Sequence, residues 1–324
     1  MNIAINGFGR IGRAFFRLAS FYPDMNVAAI NDLGTKENLE YLLTYDSVYG
    51  RAPQAVIERF RAATLTQEKD PTLLPWKDLQ IDVVIESTGF FTEFEKAQAH
   101  ITAGARRVVI SAPGKGDGAT VLMGVNTEKL ATCSISSNAS CTTNASSPLI
   151  AILDEAIGIE KAVLNTTHSY TATQALIDGP SKKGFREGRA AALNMIPSST
   201  GAAVAVTQAY ESLKGKFDGI SVRVPTPAGS LADITFIAKR NTTVLEVNEA
   251  LRSAAQTERW EGILAVSDQE FVSSDIVGQP YGSIVDTSLT RVVDGNLVKV
   301  LAWYDNEMGY AHTLVRHVVT AGRV

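Results

Sequence analysis

Two cysteines in 324 residues, Cys133 and Cys141, leave little sulfur chemistry to explain. They stand eight positions apart (141 − 133), without flanking histidines or the close ligand spacing of a zinc site, which argues against both a metal cluster and a structural disulfide. Cys133 reads as a small buried residue on a strand. Histidine is almost as scarce, with four residues, so few side chains are available for acid–base work near neutrality. A net charge of −4 comes without a basic block, so nucleic acid is not an evident partner. No apolar run has the length of a membrane span, and the N-terminus opens on a strand pattern where a signal peptide needs a charged and then an apolar region; the expected location is cytoplasmic. What the chain does have is 45% apolar and 20% charged residues, a globular balance, over a length that fits two domains.

The first feature is a short apolar strand, Asn2 to Asn6, followed at once by Gly7-Phe8-Gly9-Arg10-Ile11-Gly12 and a helical pattern through Ala19. A second strand, Val27 to Ile30, ends in Asn31-Asp32, which puts Asp32 twenty positions after Gly12 (32 − 12). Strand, glycine triplet, helix, strand and acid form a dinucleotide fingerprint in which each part has a job. Gly7 permits the tight turn, Gly9 lets the N–H groups around Arg10 and Ile11 approach a pyrophosphate, and Gly12 allows close helix–strand packing. Asp32 would accept hydrogen bonds from the adenosine ribose and repel a 2′-phosphate, which favours NAD over NADP. Further strands at Asp82 to Glu86 and Arg107 to Ser111, with a helix from about Phe94 to Ala103 between them, imply a doubly wound parallel sheet.

The second feature is Ser136-Ser137-Asn138-Ala139-Ser140-Cys141-Thr142-Thr143-Asn144, between a β-branched run and an apolar helical stretch from Pro148 to Ile157. A cysteine at a strand-to-helix junction faces unpaired N–H groups and the positive end of the helix dipole, which favour the nucleophilic thiolate. Ser-Asn-Ala-Ser-Cys-Thr-Thr-Asn resembles the active-site signature of phosphorylating glyceraldehyde-3-phosphate dehydrogenases. The resemblance extends over nearly the whole chain, from the glycine triplet to Trp303-Tyr304-Asp305-Asn306-Glu307, with the motifs in family order.

The resemblance implies an NAD-binding domain of residues 1–140 plus 307–324, returned to by a final helix from Gly309 to Val319, and a catalytic domain of residues 141–306. The implied fold is α/β: a doubly wound parallel nucleotide-binding sheet plus an α+β catalytic domain with a mixed or antiparallel sheet. It also implies the roles. Cys141 is the nucleophile and His168, in His168-Ser169-Tyr170-Thr171-Ala172-Thr173, pairs with it, its imidazolium lowering the thiol pKa and its neutral form accepting a proton. Ser140, Thr142, Thr200 and Gly201 would hold attacking inorganic phosphate. Arg223, with Thr171 and Thr173, would hold the phosphate of a phosphorylated aldehyde, for which a planar guanidinium fork is suited. Ser87-Thr88-Gly89 and Ser111-Ala112-Pro113 resemble segments lining the cofactor riboses, Lys69 lies where the family often has a basic residue near the adenine, and Asn306 would fix the nicotinamide carboxamide with Tyr310 behind the ring.

Other positions stay open or depart from the pattern. Arg186 and Arg189 are either phosphate ligands or loop-packing charges. Leu176 to Met195 resembles an interface loop of a homotetramer that borders the neighbouring cofactor site, and Pro180 in it accompanies NAD use. His100, His312 and His317 read as structural. Between Arg51 and Asp70 the chain is shorter than the family's β-rich excursion, and Ile57 to Ala63 has helical character. Ala145 replaces a second cysteine common in the family. Two further readings remain: erythrose-4-phosphate dehydrogenase on the same scaffold, or an NAD-fold protein with an added binding role such as RNA.

Overall fold

The computed structural model describes residues 1–182 and 184–324, arranged as two compact units, Met1–Ser140 with Ala311–Val324, and Cys141–Tyr310. The first unit starts with β1 (Asn2–Asn6), α1 (Arg10–Ala19) and β2 (Asn26–Asn31). Next come α2 (Lys36–Thr44), a small hairpin of β3 (Tyr45–Asp46) and β4 (Gly50–Arg51), α3 (Gln54–Ala62) and β5 (Thr64–Thr66). The unit continues with β6 (Val83–Glu86), α4 (Phe94–Thr102), β7 (Arg107–Ile110), β8 (Ala119–Thr120) and β9 (Ile135–Ser137). Seven strands form one sheet in the order β5-β2-β1-β6-β7-β9-β8, and every pairing in it is parallel. Helices cover both faces of such a sheet, so its central strands are apolar throughout, as in Ile3, Ala4 and Ile5 and in Val83, Val84 and Ile85, all fully buried. The chain winds outward from β1 to β2 and β5, then returns to lay β6 on β1's other side, which creates a switch point at the carboxyl ends of β1 and β6.

The segment after Arg51 is helical, as its pattern suggests, and α3 has a definite reason to form. Phe60 stacks on Phe8 (ring centroids 5.3 Å apart) and meets Phe16 edge-on (6.1 Å), so the short excursion seals α1 against the sheet. Cys133 departs from expectation. It follows a 3₁₀ segment, Thr127–Thr132, and precedes β9, so it lies in a connection and is only half-buried, because the strand begins at Ile135.

The second unit contains α5 (Cys141–Ala156), β10 (Ile159–Ser169), β11 (Ile196–Ser199), α6 (Ala202–Ala209), β12 (Phe217–Val224), β13 (Ser230–Ala238), α7 (Val244–Ala255), β14 (Leu264–Ser267), α8 (Ser273–Ile276), β15 (Ser283–Val293) and β16 (Leu297–Tyr304). A final helix, α9 (Met308–Arg323), runs back into the first unit. The sheet order is β11-β12-β10-β13-β16-β15-β14; β10 pairs with β12 in parallel and with β13 antiparallel, so the sheet is mixed. The fold class is therefore the one anticipated: one unit with a parallel nucleotide-type sheet and one with a mixed sheet. The hairpin at Asp294-Gly295 joins β15 to β16 with positive φ at both residues (48° and 77°), the conformation that selects Asp-Gly.

One element boundary differs from the sequence reading. The helix expected from Pro148 begins at Cys141, with Pro148 inside it; Thr142 through Leu153 are all buried, and that burial offsets the hydrogen bond a proline cannot donate. Helix α6 begins at Ala202, after an edge strand in which Ile196–Ser199 pairs with Ile220–Arg223 of β12 and a proline is tolerated.

Candidate active site

At the end of β1 the glycines meet their expected demands. Gly7 has φ of +95°, and a Cβ there would lie 2.6 Å from Thr88 N; a Cβ on Gly12 would lie 2.2 Å from Gly7 O. Gly9 faces open space and caps α1 with no side chain, at the helix end where the first-turn N–H groups of Arg10 and Ile11 begin. That cradle fits a pyrophosphate, which needs close backbone approach and N–H donors. The Arg10 side chain turns elsewhere, to Asp46 (2.5 Å) and over the Tyr49 ring. Asp32 accepts from Phe8 N (2.7 Å) on one oxygen and Gly34 N (2.8 Å) on the other, so its carboxylate is fixed at the end of β2. Ser111 donates to Glu86 O (3.0 Å), Ser87 donates to Gly7 O (2.7 Å), and Lys69 is exposed.

Two histidines of this unit have full structural employment. His100 is buried, receives Trp76 Nε1–H on Nδ1 (3.1 Å) and therefore donates from Nε2 to Glu86 (3.1 Å), whose carboxylate also accepts from Asn6 and Thr88. His317 donates from Nδ1 to Asn138 Oδ1 (3.0 Å) and accepts from the Ser136 hydroxyl on Nε2 (2.8 Å).

In the second unit, β10 delivers His168 and α5 begins at Cys141, with Sγ 3.3 Å from His168 Nε2. Beside His168 on the parallel neighbour β12 lies Arg223, its register partner. Arg223 Nη1 lies 2.5 Å from His168 Nδ1, and Ser169 O lies 2.7 Å from the same nitrogen. Burial, and secondarily the Arg223 charge, push His168 down to about 3, so the ring is neutral at pH 7. Burial also pushes the Cys141 thiol up, against the downward pull of Arg223, the Thr142 hydroxyl and nearby N–H groups. The residue keeps partial exposure, which tempers the effect. Both directions run against the expected thiolate–imidazolium pair: burial favours the neutral thiol and the neutral imidazole, and the pair can exchange a proton across 3.3 Å when a substrate carbonyl supplies a place for charge.

The other phosphate-related residues divide by how they are engaged. Thr171 and Thr173 share a hydroxyl–hydroxyl bond of 3.0 Å, while Gln174 Oε1 accepts from Thr171 N. Gly201 starts α6 in open space, and the Thr200 hydroxyl accepts from Ala202 N (3.2 Å). Ser140 is half-buried. Thr142 is buried in the first turn of α5, and one bond of its hydroxyl goes to Tyr304 OH at 2.8 Å. A cavity of about 400 Å³ gathers Thr173, Arg186, Glu187, Ser198, Ser199 and Arg223. Arg186 is thus at the cavity, whereas Arg189 pairs with Asp178 (3.0 Å). Arg223 Nε is buried without a hydrogen-bond partner, an orphaned donor that suits an anion.

Sequence reasoning missed Tyr304, whose hydroxyl bridges Thr142 and Thr166 at 2.8 Å each, and Ser230, which accepts from Ser169 N and donates to Asn306 Oδ1. Both lie inside or near recognised segments, but their partners are far along the chain. It also missed Glu187, a buried carboxylate in an otherwise anion-friendly cavity.

Comparison with known proteins agrees with this geometry. Two family models match, the glyceraldehyde 3-phosphate dehydrogenase NAD binding domain over residues 1–94 and the C-terminal domain of the same family over residues 140–306. Among similar proteins, the glyceraldehyde-3-phosphate dehydrogenase of Clostridium pasteurianum is 46% identical over 97% of this chain and 96% of its own. That of Mycobacterium avium is 44% identical over 100% and 99% respectively.

Proposed function

The chain belongs to the glyceraldehyde-3-phosphate dehydrogenase family, and from that premise we propose that it is an NAD-dependent oxidoreductase converting D-glyceraldehyde 3-phosphate and inorganic phosphate to 1,3-bisphosphoglycerate. The observation that carries the reading is Cys141 Sγ at 3.3 Å from His168 Nε2, with Arg223 against the far side of the same ring. Cys141 attacks the aldehyde carbon while His168 Nε2 takes the thiol proton. The resulting imidazolium, with the N–H of Cys141, holds the oxyanion of the hemithioacetal. Gly7, Gly9, Arg10, Ile11, Gly12 and Asp32 would hold NAD⁺, with Lys69, Ser111 and Asn306 as further contacts, and the cofactor would supply the hydride acceptor. Oxidation leaves a thioester on Cys141. Inorganic phosphate, held by Ser140, Thr142, Thr200 and Gly201, attacks it; the sulfur leaves and recovers its proton from His168. Arg223, Thr171 and Thr173 hold the substrate's own phosphate throughout.

The assay is NADH formation from glyceraldehyde 3-phosphate and NAD⁺ with and without inorganic phosphate. Sustained turnover that depends on phosphate is expected. Turnover indifferent to phosphate, with erythrose 4-phosphate as the better substrate, would move the protein to the erythrose-4-phosphate reading.

The same reading includes a cytoplasmic, glycolytic-type role and a homotetramer. Leu176, Ile177, Phe185, Leu193 and Met195 are all exposed in the single chain, a concentration of apolar surface that supports burial against another subunit. Light scattering should give about four times 34.7 kDa; a monomer mass at micromolar concentration would defeat the tetramer.

A further inference from the structure

We propose that Glu187 makes its end of the phosphate cavity selective for inorganic phosphate over phosphate esters, by accepting a hydrogen bond from the P–O–H that the inorganic ion alone keeps at neutral pH. The inference rests on the reading above and assigns the carboxylate a job within it.

A cavity lined by Arg186, Arg223 and three hydroxyl residues is built to attract anions, and Arg223 brings a buried, unpartnered Nε to it. A carboxylate in this company is a mismatch unless it has its own function. Glu187 is only 9% exposed and has no ion-pair partner among the described residues. One of its oxygens accepts from the Ser198 hydroxyl, which leaves acceptor capacity on the other.

An ionised carboxylate facing an anion repels it unless the anion carries a proton to share. Above about pH 6 a phosphate monoester is a dianion with no O–H left. Inorganic phosphate as HPO₄²⁻ still has one, and sulfate has none. Only the inorganic ion can satisfy both Arg186 and Glu187 at that end of the cavity. The proposed reaction brings two phosphates to one site and must not let the substrate's ester phosphate occupy the place of the attacking one. Ser198, held by Glu187, leads within three residues to Thr200 and Gly201, both assigned to the attacking phosphate.

The test uses the full-length enzyme and ³²P-labelled inorganic phosphate at about pH 8, well above the ester's second ionisation, with sulfate and methyl phosphate as competitors. Both competitors should displace phosphate more weakly than unlabelled phosphate does, by on the order of tenfold to a hundredfold, the value of one hydrogen bond to a charged group. Glu187→Gln should bring the competitors to parity, since an amide can donate to either anion. Without any variant, methyl phosphate should compete better at about pH 5.5, where it regains its O–H. Equal competition by sulfate in the unmodified enzyme overturns the proposal, and so does discrimination that survives Glu187→Gln or a methyl phosphate affinity flat across pH. If no labelled phosphate binds, the phosphate cavity itself is misread, and NADH formation without phosphate dependence would say so separately.

Discussion

His168 and His317 are both buried, and burial holds both down to about 3, yet their surroundings assign them opposite work. His317 has a neutral donor on one nitrogen and a neutral acceptor on the other, so its proton has nowhere to go. His168 has a thiol on Nε2, while its Nδ1 lies between a guanidinium and a carbonyl, two partners that ask for opposite roles. The lesson is that a perturbed pKa alone does not mark a catalytic residue; a group that can take up or release the proton must be in reach.

The comparison can be broken most sharply from the thiol's side. Cys141→Ser should abolish NADH production while NAD binding, followed by nucleotide fluorescence, stays near its original level, because an alcohol is far harder to ionise than a thiol. Measurable turnover by the purified variant would remove the covalent route. The two histidines can then be replaced in parallel. His168→Gln should lower kcat by on the order of 10²–10⁴, while His317→Gln should keep kcat per folded molecule.

A pH series sharpens the pair on the stability side. Both folded-state values lie below the ordinary 6.5, so between about pH 6.5 and 3 the unfolded chain binds protons that the native chain does not. Stability should therefore rise with pH across that window and be lost on acidification, by roughly 2–3 kcal/mol per histidine at about pH 4.5. Denaturant titrations at the two ends measure it, and His317→Gln should flatten the dependence. The same variant should cost about 1–2 kcal/mol at pH 7 for its weakened buried bonds, readable as a lower melting temperature. The smallest effect belongs to the cofactor side: Asp32→Ala should weaken preference for NAD over NADP by about one kcal/mol or more, measured as the ratio of kcat/KM values.

Much of the molecule was legible because it is written locally. The glycine triplet and Asp32 each answer a steric or hydrogen-bonding demand within a few residues, and a sequence carries such demands openly. The nucleophile's segment was recognisable for a different reason, its match to a family signature. What stayed hidden depends on distant partners. Nothing near Thr142 announces that its hydroxyl is committed to Tyr304, 162 positions on. Pro148 and the burial around it concealed a helix that starts seven residues earlier (148 − 141). The direction of the Cys141 shift is likewise a property of the assembled pocket, since a helix start argues one way and the low-polarity surroundings argue the other.

One oxygen in this unit works as a pair of calipers. The Tyr304 hydroxyl reaches Thr142 in the first turn of α5 and Thr166 on β10, while its ring stands edge-on to His168 with centroids 5.9 Å apart. Cys141 is the immediate neighbour of one jaw and His168 lies two positions from the other. Any change in the gap between sulfur and imidazole must therefore stretch two buried hydrogen bonds that share a single atom, at a cost of about 1–3 kcal/mol apiece. The spacing on which proton exchange depends is set by the rigid length of a phenol anchored in a strand, so loops can rearrange around arriving substrates without the working distance being renegotiated.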